Sequence, residues 1–442
     1  MSPRPALPGD ADYDVAIVGA GFTGLWTAYA LATEAPDLRI VVLEAEIAGY
    51  GPSGRNGGFV SAGMAGQASV YGRTHGADGV MRAERTVIDA IDWIGEVVAA
   101  EGIDCGYVKG GSVRVATSEP QLLRVQESLR ARRERGFGED DAWLLTVDEV
   151  CERVRISGAY GGAYTPHCAR VDPARLARGL AEACERRGVT IPERTHASRI
   201  DPGRVTCDQG TVRAEIVVRA TESYTTRFPG ERRRFLSVFS HMIATEPLPA
   251  EVWDELGWSR GETLADQRHI FFYAQRTRDD RIAIGGYGTP YRFGGAIREE
   301  DELRPAIHGR LEQALRRHFP QTDGARVTHR WGGPFAAPRD WCMSVDVDRA
   351  AGLALVGGYG GHGVVGSNVA ARTAADLILD RDTDLVTLPW VGHRCRRWEP
   401  EPVRWLATRV IPGVLASADR AEERTGRPAR RIRLVERWLP GR

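Results

Sequence analysis

The 442-residue sequence predicts an α/β domain joined to an α+β unit with an antiparallel sheet, and three stretches predict it. Residues 14–44 read strand, glycine turn, helix, strand. From Phe235 to about Arg326 the pattern changes to short strands followed by one helix. Residues 353–379 then repeat the opening order of strand, glycine-rich turn and helix.

Each part of the first stretch has a physical job. Val15–Val18 is a short apolar run of the kind a buried parallel strand needs. Gly19, Gly21 and Gly24 follow as G-x-G-x-x-G. Gly19 permits the tight turn, Gly21 lets a pyrophosphate approach the backbone, and Gly24 lets helix and strand pack closely. Leu25–Leu31 open a helix whose N-terminus offers unpaired N–H groups to phosphates. Pro36-Asp37 ends it, Arg39–Leu43 form the next strand, and Glu44 follows, placed to accept hydrogen bonds from an adenosine ribose. A lone glycine motif is weak in a chain with 51 glycines. In register with strand, helix and acid, it predicts a dinucleotide site on a Rossmann-like domain.

The segment after Glu44 is rich in glycine up to Gly63. Such a loop lets backbone approach a flat or phosphorylated ligand, and Ser53, Arg55 and Asn56 add donors. Met81–Ala100 show helical periodicity, Cys105–Thr117 read as strands about Gly110-Gly111, and Glu119–Arg135 as a charged helix. Thr146 and Glu149 form a capping box for a helix to Val154. Asp172 caps a helix with Pro173 in its first turn, which stops at Gly188. Val189–Ile191 read as a strand, Val205–Val212 as a hairpin, and Ile216–Ala220 as an apolar strand.

Val238–Thr245, Ile270–Ala274 and Ile282–Gly286 then read as antiparallel strands, with a helix from about Glu299 to Phe319. Phe271, Phe272, Tyr273, Arg276, Tyr287, Tyr291, Arg292 and Phe293 cluster there as a substrate wall. Tyr273, Arg276 and Tyr287 are the candidates for placing substrate. On a straight strand Tyr273 and Arg276 face opposite ways, so a turn or bulge after Ala274 is needed for both to serve one pocket. At 353–379 the second glycine turn, GGYGGHG, leads into a helix near Val364. A helix N-terminus there can stabilise negative charge developing on an electron-accepting ring. A bare NAD fold does not need this second turn, so it favours FAD; His362 within it reads as a local hydrogen-bonder. The tail from Asp380 to Arg442 shows many arginines and three short helical patches, which read as packing or interface.

Charge is balanced, 59 basic against 59 acidic residues, which favours neither nucleic acid nor an anionic membrane. The opening MSPRPALPGD lacks the apolar core of a signal peptide, and no apolar run is long enough to span a bilayer. Seven cysteines without CxxC spacing suit reduced thiols in a cytoplasm and give no metal pattern. Lys109 is the only lysine, so it alone could supply an amine to chemistry.

Six motifs recur in one order: GAGFTG (19–24), GPSGRNGGFV (51–60), RVDPARLARGL (170–180), VVRATESYT (217–225), RWGGPFAAPRD (330–340) and GGYGGHGVVGS (357–367). With them, residues 12 to 380 resemble the D-amino acid oxidase/glycine oxidase superfamily of FAD-dependent oxidoreductases. The similarity is greatest to its amine-oxidising branch, which includes sarcosine oxidases and gamma-glutamylputrescine oxidase. The resemblance implies an FAD domain from residues 12–75, 155–232 and 328–380, a substrate domain from 76–154 and 233–327, and a separate helical tail at 381–442. It implies hydride transfer from a C–H next to nitrogen to flavin N5, giving an imine that water hydrolyses. Gly19, Gly21, Gly24 and Glu44 would hold the ADP half. Ser53, Arg55, Asn56, Gly57 and Gly58 would line pyrophosphate and isoalloxazine, and Gly360, Gly361, His362 and Gly363 would face the pyrimidine edge.

Two departures stand out. Monomeric sarcosine oxidases use an active-site lysine towards oxygen, and no lysine lies in the matching sheet here. They also bind flavin through a cysteine, where this chain has Arg330-Trp331, with Cys342 out of register. Non-covalent FAD is therefore expected, and His241, His269, an arginine or the substrate's own ammonium is the candidate positive charge near the flavin. Oxygen or another acceptor would take the electrons. Two alternatives stay open: alcohol oxidation, as in glycerol-3-phosphate dehydrogenases, and a flavin-binding subunit without catalysis.

Overall fold

The computed structural model describes residues 2–289 and 291–432, without the side chains of Tyr287 and Thr289. The opening unit forms as its apolar pattern dictates: β1 (Ala11–Val18), α1 (Phe22–Glu34) and β2 (Ile40–Leu43), with Val15–Val18 and all of β2 buried. A short helix α2 (Pro52–Arg55) and β3 (Phe59–Ser61) precede α3 (Ala68–Ala100), which departs from helical geometry at Gly76 (φ 64°). β4 (Ser112–Ala116), α4 (Glu119–Glu134), β5 (Trp143–Leu145), α5 (Val147–Arg153), β6 (Gly161–Thr165) and β7 (Cys168–Arg170) follow. α5 starts with the expected capping box: Glu149 N–H donates to Thr146 Oγ1 at 3.3 Å and Thr146 N–H to Glu149 Oε2 at 2.7 Å. α6 (Pro173–Arg186) starts at Asp172, whose Oδ1 accepts from Arg175 N–H at 3.0 Å. Such caps contribute about 1 kcal/mol each.

The hairpin β8 (Ala197–Asp201) and β9 (Arg204–Cys207) leads into β10 (Gly210–Arg219). β11 (Leu236–Thr245), α7 (Ala250–Leu256), β12 (Thr263–Asp266), β13 (Phe272–Arg276), β14 (Ile282–Thr289), α8 (Pro305–His318) and β15 (Val327–Ala337) make the middle of the chain. β16 (Ser344–Asp348), β17 (Leu353–Gly357), α9 (Gly363–Ile378) and α10 (Val403–Thr425) close it.

Two large sheets result. The first runs β16-β17-β10-β1-β2, parallel except for β16, with β9 and β8 extending from β10. α1 packs between α9 and α6 on one face, around Ile17, Leu25, Trp26 and Val369. The second sheet runs β15-β11-β14-β13-β12-β4-β6-β5, antiparallel except for β12 beside β4. Its core holds Ile243, Leu264, Phe272, Leu311 and Phe319. Burying each such side chain stabilises by roughly 1.5–3 kcal/mol.

Several sequence expectations change here. Cys105–Thr117 yields one strand; Val108 makes only a bridge to Arg170, because Gly106 (φ 63°) and Gly111 (φ 78°) turn the chain on either side. Val189–Ile191 is reduced to a bridge between Val41 and Thr190. β6 and most of β15, which fall within the residues assigned to the cofactor domain, are strands of the second sheet, where they find antiparallel partners in β4 and β11. The three helical patches of the tail are one 23-residue helix, α10, which carries Pro412 without breaking; residues 433–442 lie outside the described residues. Among the described residues, no helix is long and apolar enough to cross a membrane.

Candidate active site

A cavity of about 1610 Å³ lies between the two sheets. That exceeds the roughly 300–1,000 Å³ of a typical small-ligand pocket and leaves room for a large cofactor and a second molecule. Its walls come from the turn after β1, the 50–57 loop, the 359–363 turn, β4, β11 to β13 and α10.

At one end stands the first glycine turn. Gly19 has φ 106°, and a Cβ there would lie 2.8 Å from Ala220 O. A Cβ on Gly24 would lie 2.0 Å from Gly19 O, so Gly24 serves helix packing and does not itself line the cavity. Gly21 faces the cavity beside Ser53, whose Oγ accepts from Phe22 N–H at 2.8 Å. Glu44 accepts from Ala20 N–H at 2.8 Å and Glu46 N–H at 2.9 Å. Burial outweighs those two amides and pushes its pKa up to about 7.

The 52–58 segment is braced by its own side chains. Asn56 donates to Ser53 O at 2.7 Å and accepts from Gly58 N–H at 2.8 Å. Arg55 pairs with Glu302 at 2.5 Å, with its guanidinium 4.3 Å from the Tyr50 ring centre. Gly57 and Gly58 press against the second sheet: a Cβ on Gly57 would lie 2.4 Å from the Tyr273 ring, and one on Gly58 (φ 72°) 2.2 Å from Gln275 Nε2.

The second glycine turn is held by a residue the sequence reading did not single out. Glu222, at φ 43°, accepts from Gly358 N–H at 2.9 Å and Tyr359 N–H at 3.4 Å. Burial raises its pKa to about 7. Tyr359 and Thr23 hydroxyls lie 2.8 Å apart, so the two turns are tied together. Gly360 (φ 58°) and Gly361 (φ 101°) carry the chain to His362 and Gly363, where α9 begins. His362 is exposed only to the cavity; enclosure by protein, then the charge of Arg114, draws its pKa down to about 4.

The substrate candidates separate. Tyr273 lines the cavity, with its hydroxyl 2.8 Å from Ser240 Oγ and its ring edge-to-face with Phe59 at 5.6 Å. Arg276 does not line it. β13 pairs with β14 without a break from Phe272 to Arg276, so no bulge rotates it inward. It pairs instead with Asp280 at 2.6 Å and donates to Trp258 O at 3.1 Å. His241 is also off the cavity: Ser240 faces in, and His241 is fully buried behind β11 with its ring 5.2 Å from His308. Burial, then His308, lowers its pKa to about 4, so it carries no charge near neutrality. His269 sits on the rim, held 3.1 Å from Glu422 Oε1. The side chain of Tyr287 lies outside the described residues. Lys109 pairs with Asp92 at 2.5 Å and does not reach the cavity.

Arg114 stands where those candidates were expected, with the buried Asp266 close by on β12. Arg114 on β4 is aligned with Ala265 on β12 and, through it, with Tyr273 on β13. Its side chain is exposed to the cavity and, among the described residues, no carboxylate pairs with it. The alternation Val113, Arg114, Val115 was the available signal: two buried valines point one way and the arginine the other. Asp266, at the end of β12, accepts from Phe272 N–H at 3.0 Å through Oδ1, while Oδ2 has no partner. Burial pushes its pKa up to about 7. No cysteine lines the cavity among the described residues; Cys342 is buried, its sulfur 3.2 Å from Gln67 N.

The residues present suit a flavin dinucleotide: a glycine cradle at a helix N-terminus, an acid beyond the second strand, and a second helix N-terminus farther along the same cavity. The sequence profile described as FAD dependent oxidoreductase matches residues 14–377. Gamma-glutamylputrescine oxidoreductase of Escherichia coli (strain K12) is 29% identical over 396 residues, 87% of this chain and 89% of that protein. Sarcosine oxidase subunit beta of Arthrobacter sp is 25% identical over 399 residues, covering 86% and 91%. Glycine oxidase from Geobacillus kaustophilus superposes with a TM-score of 0.72 at 21% identity, over 87% of this chain and 99% of that one.

Proposed function

The chain belongs to the FAD-dependent oxidoreductase family, and on that footing we propose that it oxidises the C–N bond of an amine or amino acid. The observation that carries this reading is the Arg114–Ala265–Tyr273 row facing the second glycine turn across one cavity. The names of the relatives, a gamma-glutamylputrescine oxidoreductase and a sarcosine oxidase subunit, support the amine class.

When bound, FAD supplies the acceptor for hydride from the C–H beside nitrogen, leaving an imine that water hydrolyses. The rest is the work of this chain. The N–H groups after Gly21 would hold pyrophosphate, and Glu44 the adenosine ribose. The start of α9, beside a neutral His362, would face the pyrimidine edge of the ring. Arg114 is a fixed cation of the substrate end, and an arginine keeps its charge at any working pH. Residues 12–75, 155–232 and 328–380, less β6 and β15, would carry the cofactor, and 76–154 and 233–327 the substrate. Seven free cysteines support a reducing, cytoplasmic setting. Oxygen or a protein acceptor would reoxidise the flavin.

The test is anaerobic mixing of FAD-loaded protein with glycine, sarcosine, proline and gamma-glutamylputrescine, and with alcohols. Bleaching of the oxidised flavin band by an amine supports the proposal. Bleaching by alcohols alone would replace it with the alcohol reading, and bleaching by neither would favour a non-catalytic subunit.

A further inference from the structure

α10 begins beyond residues 14–377, the stretch that the family profile matches, yet it forms part of the cavity wall. Ala407, Thr408, Ile411, Pro412, Leu415 and Ala416 line the cavity. Their spacing of three and four residues puts them on one helix face. Ala407, Ile411 and Leu415 make an apolar stripe along it, flanked by Arg409 and Arg420, which also line the cavity. Pro412 has no N–H, so the Thr408 carbonyl loses its usual helix donor on the side that meets the cavity.

The helix is fixed rather than loosely laid over the opening. Asp419 accepts from His269 N–H at 2.9 Å and Ile270 N–H at 3.0 Å, clamping the loop that itself lines the cavity rim. Glu422 accepts from Arg124 at 2.9 Å and from Ala429 N–H at 3.0 Å. At the other end Arg404 is buried and donates to Arg232 O at 3.0 Å. A wall tied at both ends can select by shape.

We propose that α10 is the specificity-determining wall of this site, reading the part of the substrate amine away from the reacting C–N bond. An apolar stripe with one carbonyl acceptor fits an aliphatic arm that bears an N–H donor. This inference rests on the amine reading above. It adds that selectivity comes from a segment outside the family's shared region.

The experiment uses the full-length, FAD-loaded protein, with flavin content checked for each variant. Steady-state kinetics are measured with amines graded in chain length, with and without a distal N–H. Ile411→Trp fills the stripe. Its expected effect is a KM at least tenfold higher for the longest amine accepted, less than twofold higher for the shortest, with kcat unchanged. Pro412→Ala restores an N–H to the Thr408 carbonyl, and KM should rise severalfold only for amines with the distal donor. Leu415→Ala only removes atoms and should relax selectivity towards bulkier amines, which keeps the test decisive if the tryptophan prevents folding. Independently of turnover, amide hydrogen exchange in 407–416 should slow on anaerobic addition of the preferred amine. Unchanged selectivity in these variants, or exchange that is unaffected, overturns the proposal while the amine reading stands. Wild-type flavin that no amine bleaches overturns both.

Discussion

The hydroxyls of Thr23 and Tyr359 lie 2.8 Å apart, joining the first turn of α1 to the glycine turn before α9 across 336 residues of chain. Both side chains are buried. A buried hydrogen bond of this kind contributes about 1 kcal/mol net. Tyr359→Phe should therefore lower unfolding stability by about 1 kcal/mol. In a double-mutant cycle with Thr23→Val the two losses should fall short of additive. Strict additivity, measured by urea unfolding, would show that the contact does not couple the turns.

Gly21→Val should abolish FAD binding. Even a Cβ at Gly21 would come within 2.9 Å of Ser53 Oγ, and a branched side chain would occupy the space a pyrophosphate needs. Flavin content after purification is the measurement, and full occupancy would refute the cofactor assignment.

Glu44 gives FAD affinity a pH dependence. Its carboxyl is raised to about 7, and only the ionised form accepts through both oxygens. A ribose that needs those acceptors favours deprotonation, so affinity should strengthen as pH rises from about 6 to 8. In Glu44→Gln it should be weaker and flat over that range. Equilibrium titration of apo protein at several pH values checks this.

Asp266 is also raised to about 7, so the folded apo chain prefers it protonated. Stability is therefore lost as pH climbs from about 4, where the unfolded carboxyl ionises, to about 7, and levels off above that. Asp266→Asn should make apo protein more stable than wild type at pH 8, with the advantage shrinking as pH falls from about 7 towards 4, by thermal unfolding.

If Arg114 is the cation that serves the reduced flavin, reoxidation by oxygen should be independent of pH between about 6 and 9, because an arginine keeps its charge there. His241 and His362 both titrate near 4. Arg114→Met should slow reoxidation at least tenfold, while Lys109→Met should leave it unchanged. A strong effect of Lys109→Met would contradict its pairing with Asp92 outside the cavity. Acid precipitation should release intact FAD into solution, since no described cysteine lines the cavity.

The cofactor end was legible in the sequence because its constraints are local. Gly19, Gly21, Gly24 and Glu44 sit within one βαβ unit, and helix caps such as Asp172 act within a few residues. The substrate end depends on which strands become neighbours. Arg114 belongs with Tyr273 only because β12 lies between β4 and β13. Strand alternation was enough to doubt Arg276, and the unbroken pairing of β13 confirms the doubt. His241 failed for the same reason, one residue out of phase with Ser240. α10 was read only as patches in the tail, although the fold keeps it one helix through Pro412.

The strand order of the first sheet also has a consequence for biosynthesis. β1 has β10 and β2 as its neighbours, β10 needs β17, and the cavity is walled as far along the chain as Arg420. A chain emerging N-terminus first carries its dinucleotide turn out of the ribosome hundreds of residues before the surfaces that enclose it. FAD can therefore be retained only once β17 and α9 have emerged, and nascent chains stalled before them should emerge without flavin.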